Sequence, residues 1–251
     1  MAICNPLRCI VSKETDARIV VDPAVRPAPR PATHVRGVIF DLDGVIVSTD
    51  EFHYQAWQQM ADAEGIPFDR EINHRLRGVS RMQSLAIILE RARRACTEEE
   101  KLALAERKNA TYRALLDKLT PRDILPGALP LLDGLRGRGI RVAVASSSRN
   151  AGTILERIGL AGAFDAVVDG NAITHSKPHP EVFLKAAARL RLRPARCLVV
   201  EDAVAGVEAA HAAGMPCLAV GDAAGRIAAE AAAPDLLDAD IDRLLAVRRA
   251  E

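Results

Sequence analysis

An α/β fold is what this sequence predicts, with a parallel sheet as its core and a block of helices inserted after the first strand. Three observations carry that expectation. From Val35 onward, short apolar runs alternate with amphipathic segments, the pattern of a parallel sheet with helices on both faces. The interval from Thr49 to Thr120 breaks the alternation, because it reads as helices with no strand. Polar residues able to do chemistry follow four of the apolar runs, and in open sheets of this kind ligands bind at the carboxyl ends of the strands.

The elements follow in chain order. Strands are expected at Val38–Asp41, Ile140–Ala145, Ala166–Val168, Cys197–Val200 and Cys217–Val220, and helices between them at Ala128–Arg138, Ala151–Ile158, Pro180–Leu190 and Val204–Ala213. The inserted helices are expected at Glu51–Glu64, Ile72–Leu76, Arg81–Arg94 and Thr97–Leu119. Thr97 followed by Glu98, Glu99 and Glu100 is a capping-box start whose acidic first turn suits the helix dipole. The core is thus Rossmann-like and comprises 34–48 and 121–251, with 49–120 as a helical cap. The cap enters and leaves the core near the first strand end, as a hinged lid requires. Residues 1–33, with four prolines from Pro23 to Pro31, are expected to be a disordered N-terminal extension.

Composition excludes several classes. The 251 residues are 49% apolar and 27% charged, which fits a globular protein with a sizeable core. A net charge of +1 and 3% aromatics give no electrostatic or stacking case for a nucleic-acid partner. No apolar run approaches the roughly 20 residues of a membrane span. Five scattered cysteines show no zinc-type pairing or disulfide framework, and Arg8 and Lys13 interrupt any signal-peptide core, so the expected compartment is the cytoplasm. Only six of the 34 basic residues are lysine, so Lys177, in the loop His175-Ser176-Lys177-Pro178, stands out in a chain that otherwise uses arginine.

Four strand ends carry the candidate chemistry: Asp41-Leu42-Asp43-Gly44, Ala145-Ser146-Ser147-Ser148-Arg149-Asn150, the Lys177 loop, and Glu201-Asp202. Alone, each has a plainer explanation as a turn, an N-cap or an acidic first helical turn. Together, in one crevice, they make a phosphoryl-transfer site. Carboxylates from Asp41, Glu201 and Asp202 suit magnesium, a hard cation that takes oxygen ligands and phosphate. Ser146, Ser147 and Lys177 suit the phosphoryl oxygens. Asp41 is placed to become an aspartyl-phosphate, and Asp43, two residues on, to move protons.

These motifs, in this order over residues 36–220, resemble the haloacid dehalogenase superfamily of phosphotransferases. The cap segments Leu76-Arg77-Gly78-Val79-Ser80-Arg81-Met82-Gln83-Ser84-Leu85 and Glu106-Arg107-Lys108-Asn109, with Thr49, His53 and Trp57 on one helix face, are similar to the β-phosphoglucomutase subfamily within it. That resemblance implies Asp41 as nucleophile, and Asp43 as general acid/base whose carbonyl also reaches the metal, with Glu201 and Asp202 completing the metal site. It implies Ser146, Ser147 and Lys177 on the transferring phosphate, and Arg81 with Ser148, Arg149 and Asn150 on the distal phosphate. His53 and Lys108 are implied at the sugar or at Asp43, and Gly44, Thr49, Trp57, Gly78, Val79 and Ser80 are counted with the substrate-binding set. The implied cofactors are Mg2+ and β-glucose 1,6-bisphosphate as primer and intermediate, for a monomer acting on a small-molecule sugar phosphate.

Against that pattern, Arg149 stands in place of lysine, Ser147 in place of alanine and Ser48 in place of an acid, and residues 1–33 have no counterpart. The expected activity is interconversion of β-glucose 1-phosphate and glucose 6-phosphate. The alternatives are a magnesium-dependent phosphatase of small sugar phosphates and a non-catalytic binder, against which the intact Asp41 and Asp43 argue.

Overall fold

The computed structural model describes residues 34–237 and 239–248. The expectation for residues 1–33 lies outside that range. Six strands form one parallel sheet: β1 Gly37–Phe40, β2 Arg141–Ala145, β3 Ala166–Val168, β4 Cys197–Glu201, β5 Cys217–Val220 and β6 Ala231–Ala233, in the order β3-β2-β1-β4-β5-β6. β1 is central and pairs with β2 from Gly37↔Arg141 and with β4 from Gly37↔Cys197. The strands are near-continuous apolar runs because both faces are covered. Val38, Phe40, Val142, Val144, Leu198 and Val200 point into one core, and Ile39, Ala143, Cys197 and Val199 into the other, as a two-residue period demands.

Helices α5 Ala128–Arg136, α6 Ala151–Arg157 and α9 Ile241–Ala246 cover the first face. Helices α7 Glu181–Arg189 and α8 Val204–Ala212 cover the second. Between β1 and β2 stand α1 Asp50–Glu64, α2 Arg70–His74, α3 Arg81–Leu89 and α4 Glu98–Leu116. They share a third apolar cluster of their own around Trp57, Met60, Ile72, Leu85, Ile88 and Leu104. The chain's exit toward α1 and its return are paired to each other by a bridge between Val47 and Ile124 and by Leu125 N donating to Ile46 O at 2.9 Å.

Four elements differ most from expectation. α3 stops at Leu89 and not Arg94, because beyond Ile88 the sequence offers exposed Arg91, Arg93 and Arg94, which bury no apolar face. Arg94 instead pairs with Glu100 of α4 at 2.8 Å, close to the capping box that Thr97 and Glu100 complete. α4 stops at Leu116, three residues short. β6 and α9 were not expected; β6 is three alanines, a residue depleted in strands, and its pairing with β5 supplies what propensity does not. Among the described residues no helix is long and apolar enough to cross a membrane.

Candidate active site

The sheet topology brings the four sequence-predicted strand ends together. β1 delivers Asp41, whose backbone N–H donates to Val200 O at 2.9 Å and so ties it beside β4. β4 runs one residue further than expected and ends on Glu201, with Asp202 following. The Lys177 side chain, 1% exposed, donates to both Asp41 Oδ1 and Glu201 Oε1. Carboxylate oxygens, one each from Asp41, Glu201 and Asp202, lie within 4.8 Å of one another.

Three buried carboxylates beside one ammonium leave an excess of negative charge. Burial raises the Asp41 pKa against the opposing pull of Lys177, and Glu201 adds to the rise. Burial also raises Asp202, with Glu201 and Asp41 reinforcing it. Lys177 is held charged, because the two carboxylates outweigh the burial that pulls it down. A divalent cation relieves the strain on Asp41 and Asp202, so this all-oxygen donor set fits magnesium.

Asp43 sits across from this cluster. Its Oδ1 accepts from the Thr49 hydroxyl, which accepts in turn from Tyr112 OH at 3.0 Å. Burial lifts the Asp43 pKa to about 6, with the Thr49 bond opposing, which suits a group that both gives and takes a proton near neutrality. From the helices, Lys108 reaches His53 Nδ1 at 2.8 Å and lies over the Trp57 and Tyr112 rings. Burial pulls both Lys108 and His53 well below their ordinary pKa values, and for His53 the Lys108 charge adds to it. With Lys108 as the ammonium, which only donates, Nδ1 is the acceptor and His53 is the neutral Nε2–H tautomer. We expect the imidazole NMR signals of His53 to titrate well below the ordinary histidine value of 6.5; a midpoint at or above 6.5 would remove Nδ1 as the acceptor for Lys108.

After β2, Ser146 is buried and its hydroxyl accepts from Ser148 N at 3.1 Å, while the Ser148 hydroxyl accepts from Asn150 N at 3.2 Å. The serine run is thus a turn that holds its own side chains in place. Asn150 then donates to Asn109 Oδ1 of α4 at 3.1 Å, and Ser147 donates to Gly78 O at 3.4 Å. Ser176 donates to Gln83 of α3 at 2.7 Å. On the other side His74 and Arg77 reach Asp222 at 3.3 and 4.0 Å. The helical block is therefore latched down on the strand ends.

Beneath it lies a cavity of about 410 Å³. It is lined by Asp41, Asp43, His53, Trp57, Gly78, Val79, Ser80, Arg81, Lys108, Ser146, Ser147, Ser148, Arg149, Asn150, Lys177 and Asp202 of the sequence-predicted set. Arg81 and Arg149 lie near enough to interact: burial, the larger cause, and Arg149 both lower the Arg81 pKa, while Glu106 opposes them.

Three predicted residues are not in the cavity wall. Thr49 acts on Asp43 from behind, Glu201 is buried between Lys177 and Ala203 N, and Gly44 serves a different purpose. Gly44 has φ +85°, and a Cβ there would overlap the Asp202 carboxylate. Gly44→Ala is expected to cost about 1–3 kcal/mol of stability and to weaken magnesium binding roughly tenfold or more. Gly65→Ala, at φ +62° with nothing within 4 Å, is the control that loses stability only. Thermal melts and magnesium titrations of both variants check this, and equal magnesium affinities would refute the Asp202 contact.

The cavity also takes in Asp50, Arg77, Asn109 and Tyr112, which sequence reasoning did not assign. Lys108, Asn109 and Tyr112 stand at i+3, i+4 and i+7 from Ala105 on one face of α4, so that helical spacing was the available signal.

The chain was also compared with known proteins. The model of the haloacid dehalogenase-like hydrolase family matches residues 35–214. The chain is 47% identical over 189 residues to the β-phosphoglucomutase of Bacillus subtilis (strain 168), covering 74% of this chain and 84% of that one. It is 35% identical over 184 residues to a fructose-1-phosphate phosphatase of Escherichia coli (strain K12), covering 71% and 93%. The crystal structure of β-phosphoglucomutase from Clostridium difficile superposes with a TM-score of 0.79 at 37% identity, covering 83% of this chain and 95% of that one.

Proposed function

The chain belongs to the haloacid dehalogenase-like hydrolase family, and on that premise we propose that it is a phosphomutase that interconverts β-glucose 1-phosphate and glucose 6-phosphate. The observation that carries this reading is the division of cations within one lidded cavity. Lys177 is bonded to Asp41, whereas Arg81, paired with Glu106 at 3.6 Å, and Arg149 line the cavity as cations not bonded to Asp41. A phosphatase needs one phosphate site; a mutase working through a bisphosphate needs two.

The residues then divide the work. Asp41 attacks phosphorus through a carboxylate oxygen, an aspartyl-phosphate forms, and the bond from phosphorus to the sugar oxygen breaks. Asp43 gives that leaving oxygen its proton and later takes one from the hydroxyl that attacks the aspartyl-phosphate. Magnesium, held by Asp41 and Asp202 with Glu201 behind, supplies charge neutralisation for the phosphoryl group when bound. Ser146, Ser147 and Lys177 hold the transferring phosphate, while Arg81, Ser148, Arg149 and Asn150 hold the other. The intermediate, β-glucose 1,6-bisphosphate, binds in either orientation and primes the enzyme. The segment 49–120 serves as the lid that excludes water and 34–48 with 121–251 as the base. This reading takes the enzyme as a cytoplasmic monomer.

The 35% identity to a sugar-phosphate phosphatase supports the second reading, hydrolysis of small sugar phosphates on the same residues. One assay separates them. With magnesium, β-glucose 1-phosphate and trace bisphosphate, a mutase yields glucose 6-phosphate and stalls without the primer. Inorganic phosphate as the main product from the start, independent of primer, would establish the phosphatase.

A further inference from the structure

Among the described residues a second group of metal-ligating side chains stands outside the cavity: His175, His179 and Glu181. We propose that these three form a site for a zinc-class divalent ion on the outer side of the loop that carries Lys177. One nitrogen from each imidazole and a Glu181 oxygen lie within 4.8 Å of one another. The two rings are already neighbours, with centroids 4.6 Å apart, and His175 Nδ1 stands 3.2 Å from Glu181 Oε2.

The donor chemistry chooses the ion. Two imidazoles with one carboxylate suit zinc and its neighbours in the transition series, and leave a fourth position for water. Magnesium prefers oxygen ligands and goes to the carboxylate cluster inside. The surroundings are those of a built site. Glu181 is fixed by Lys185 and by the backbone N–H groups of Thr174 and His175, at 3.1 and 2.8 Å, so its carboxylate is oriented before any ion arrives. Lys185 bonds Oε1, while Oε2 accepts from the His175 and Thr174 N–H groups at 2.8 and 3.1 Å and also faces His175 Nδ1; His179 Nδ1 accepts from Glu181 N at 3.3 Å, which leaves its Nε2 for the ion. The nearby ammonium tempers the affinity, so the ion is exchangeable. Both histidines are exposed and line an open groove shared with Ser80 and Gln83 of the lid, which gives the ion a path in.

The location gives the site a consequence. His175 and His179 bracket Ser176 and Lys177: Ser176 holds the lid through Gln83, and Lys177 holds Asp41. A bound ion ties the two ends of that short segment together from outside.

The test is a zinc titration of the full chain in saturating magnesium, read by competition with a chromophoric chelator, against the His175→Ala/His179→Ala double variant. Cys4, Cys9 and the Asp41 cluster are common to both proteins, so the difference isolates the site. The double variant is expected to bind one zinc equivalent fewer, and circular dichroism establishes that it is folded. His175→Gln/His179→Gln serves if the alanine variant does not fold. Equal zinc stoichiometry in wild type and a folded variant overturns the proposal.

Discussion

Asp41→Asn is expected to abolish turnover, lowering it by about 10⁴-fold or more, because an amide cannot form the acyl phosphate on which both half-reactions depend. The replacement is isosteric, and the Asp41 backbone stays bonded to Val200, so the fold should survive. Two measurements make the result specific. Intact-mass analysis after exposure to the bisphosphate should find a phosphorylated species in the wild-type chain and none in the variant. Circular dichroism should find the two proteins alike. A variant that keeps a tenth of wild-type turnover would remove Asp41 from the role of nucleophile, and with it the reaction scheme.

Lys177→Ala has the second largest expected effect, and it acts on stability as well as on activity. Removing one partner of a buried ion pair costs about 3–5 kcal/mol, because the remaining charge keeps its desolvation penalty. Here the loss leaves Asp41 and Glu201 without their shared donor, beside Asp202. The carboxylates can escape part of the cost by taking up protons or by binding a cation. Magnesium should therefore rescue the melting temperature of the variant far more than it raises that of the wild type. Turnover stays low even with magnesium, because no point charge remains for the transferring phosphate. A melting temperature that responds to magnesium equally in both proteins would show that Lys177 does not balance the carboxylates.

The sheet and its order of functional loops were legible because each strand is a continuous apolar run ending in a polar residue. Asp41, Ser146 and Asp202 could be placed at strand ends by that rule alone, and Lys177 by its rarity in an arginine-rich chain. What stayed hidden depends on contacts between distant segments. β6 is three alanines and becomes a strand only because β5 is there to pair with it. Thr49 looked like part of a helix face but stands at the N-cap position of α1, where its hydroxyl turns to Asp43. Gly44 read as a turn glycine near phosphate, yet its missing side chain makes room for Asp202, which lies far along the chain. Glu201 read as a metal ligand that completes the site with Asp202. Its backing by Lys177 and Ala203 was not visible, because it follows from β4 being one residue longer than its apolar run.

The central position of β1 also governs when the protein becomes competent during synthesis. Gly37 pairs with Arg141 on one side and with Cys197 on the other, so the strand that carries Asp41 has no partner when it leaves the ribosome. Contacts of such sequence separation close slowly, and the entropy of closing them is lost before they return any stability. The helices from Asp50 to Leu116 are contiguous and bury a cluster of their own, so they can collapse while β1 still waits. Asp202, the last of the site residues, emerges 161 residues after Asp41. A growing chain therefore carries Asp41 long before it holds the partners that Asp41 needs.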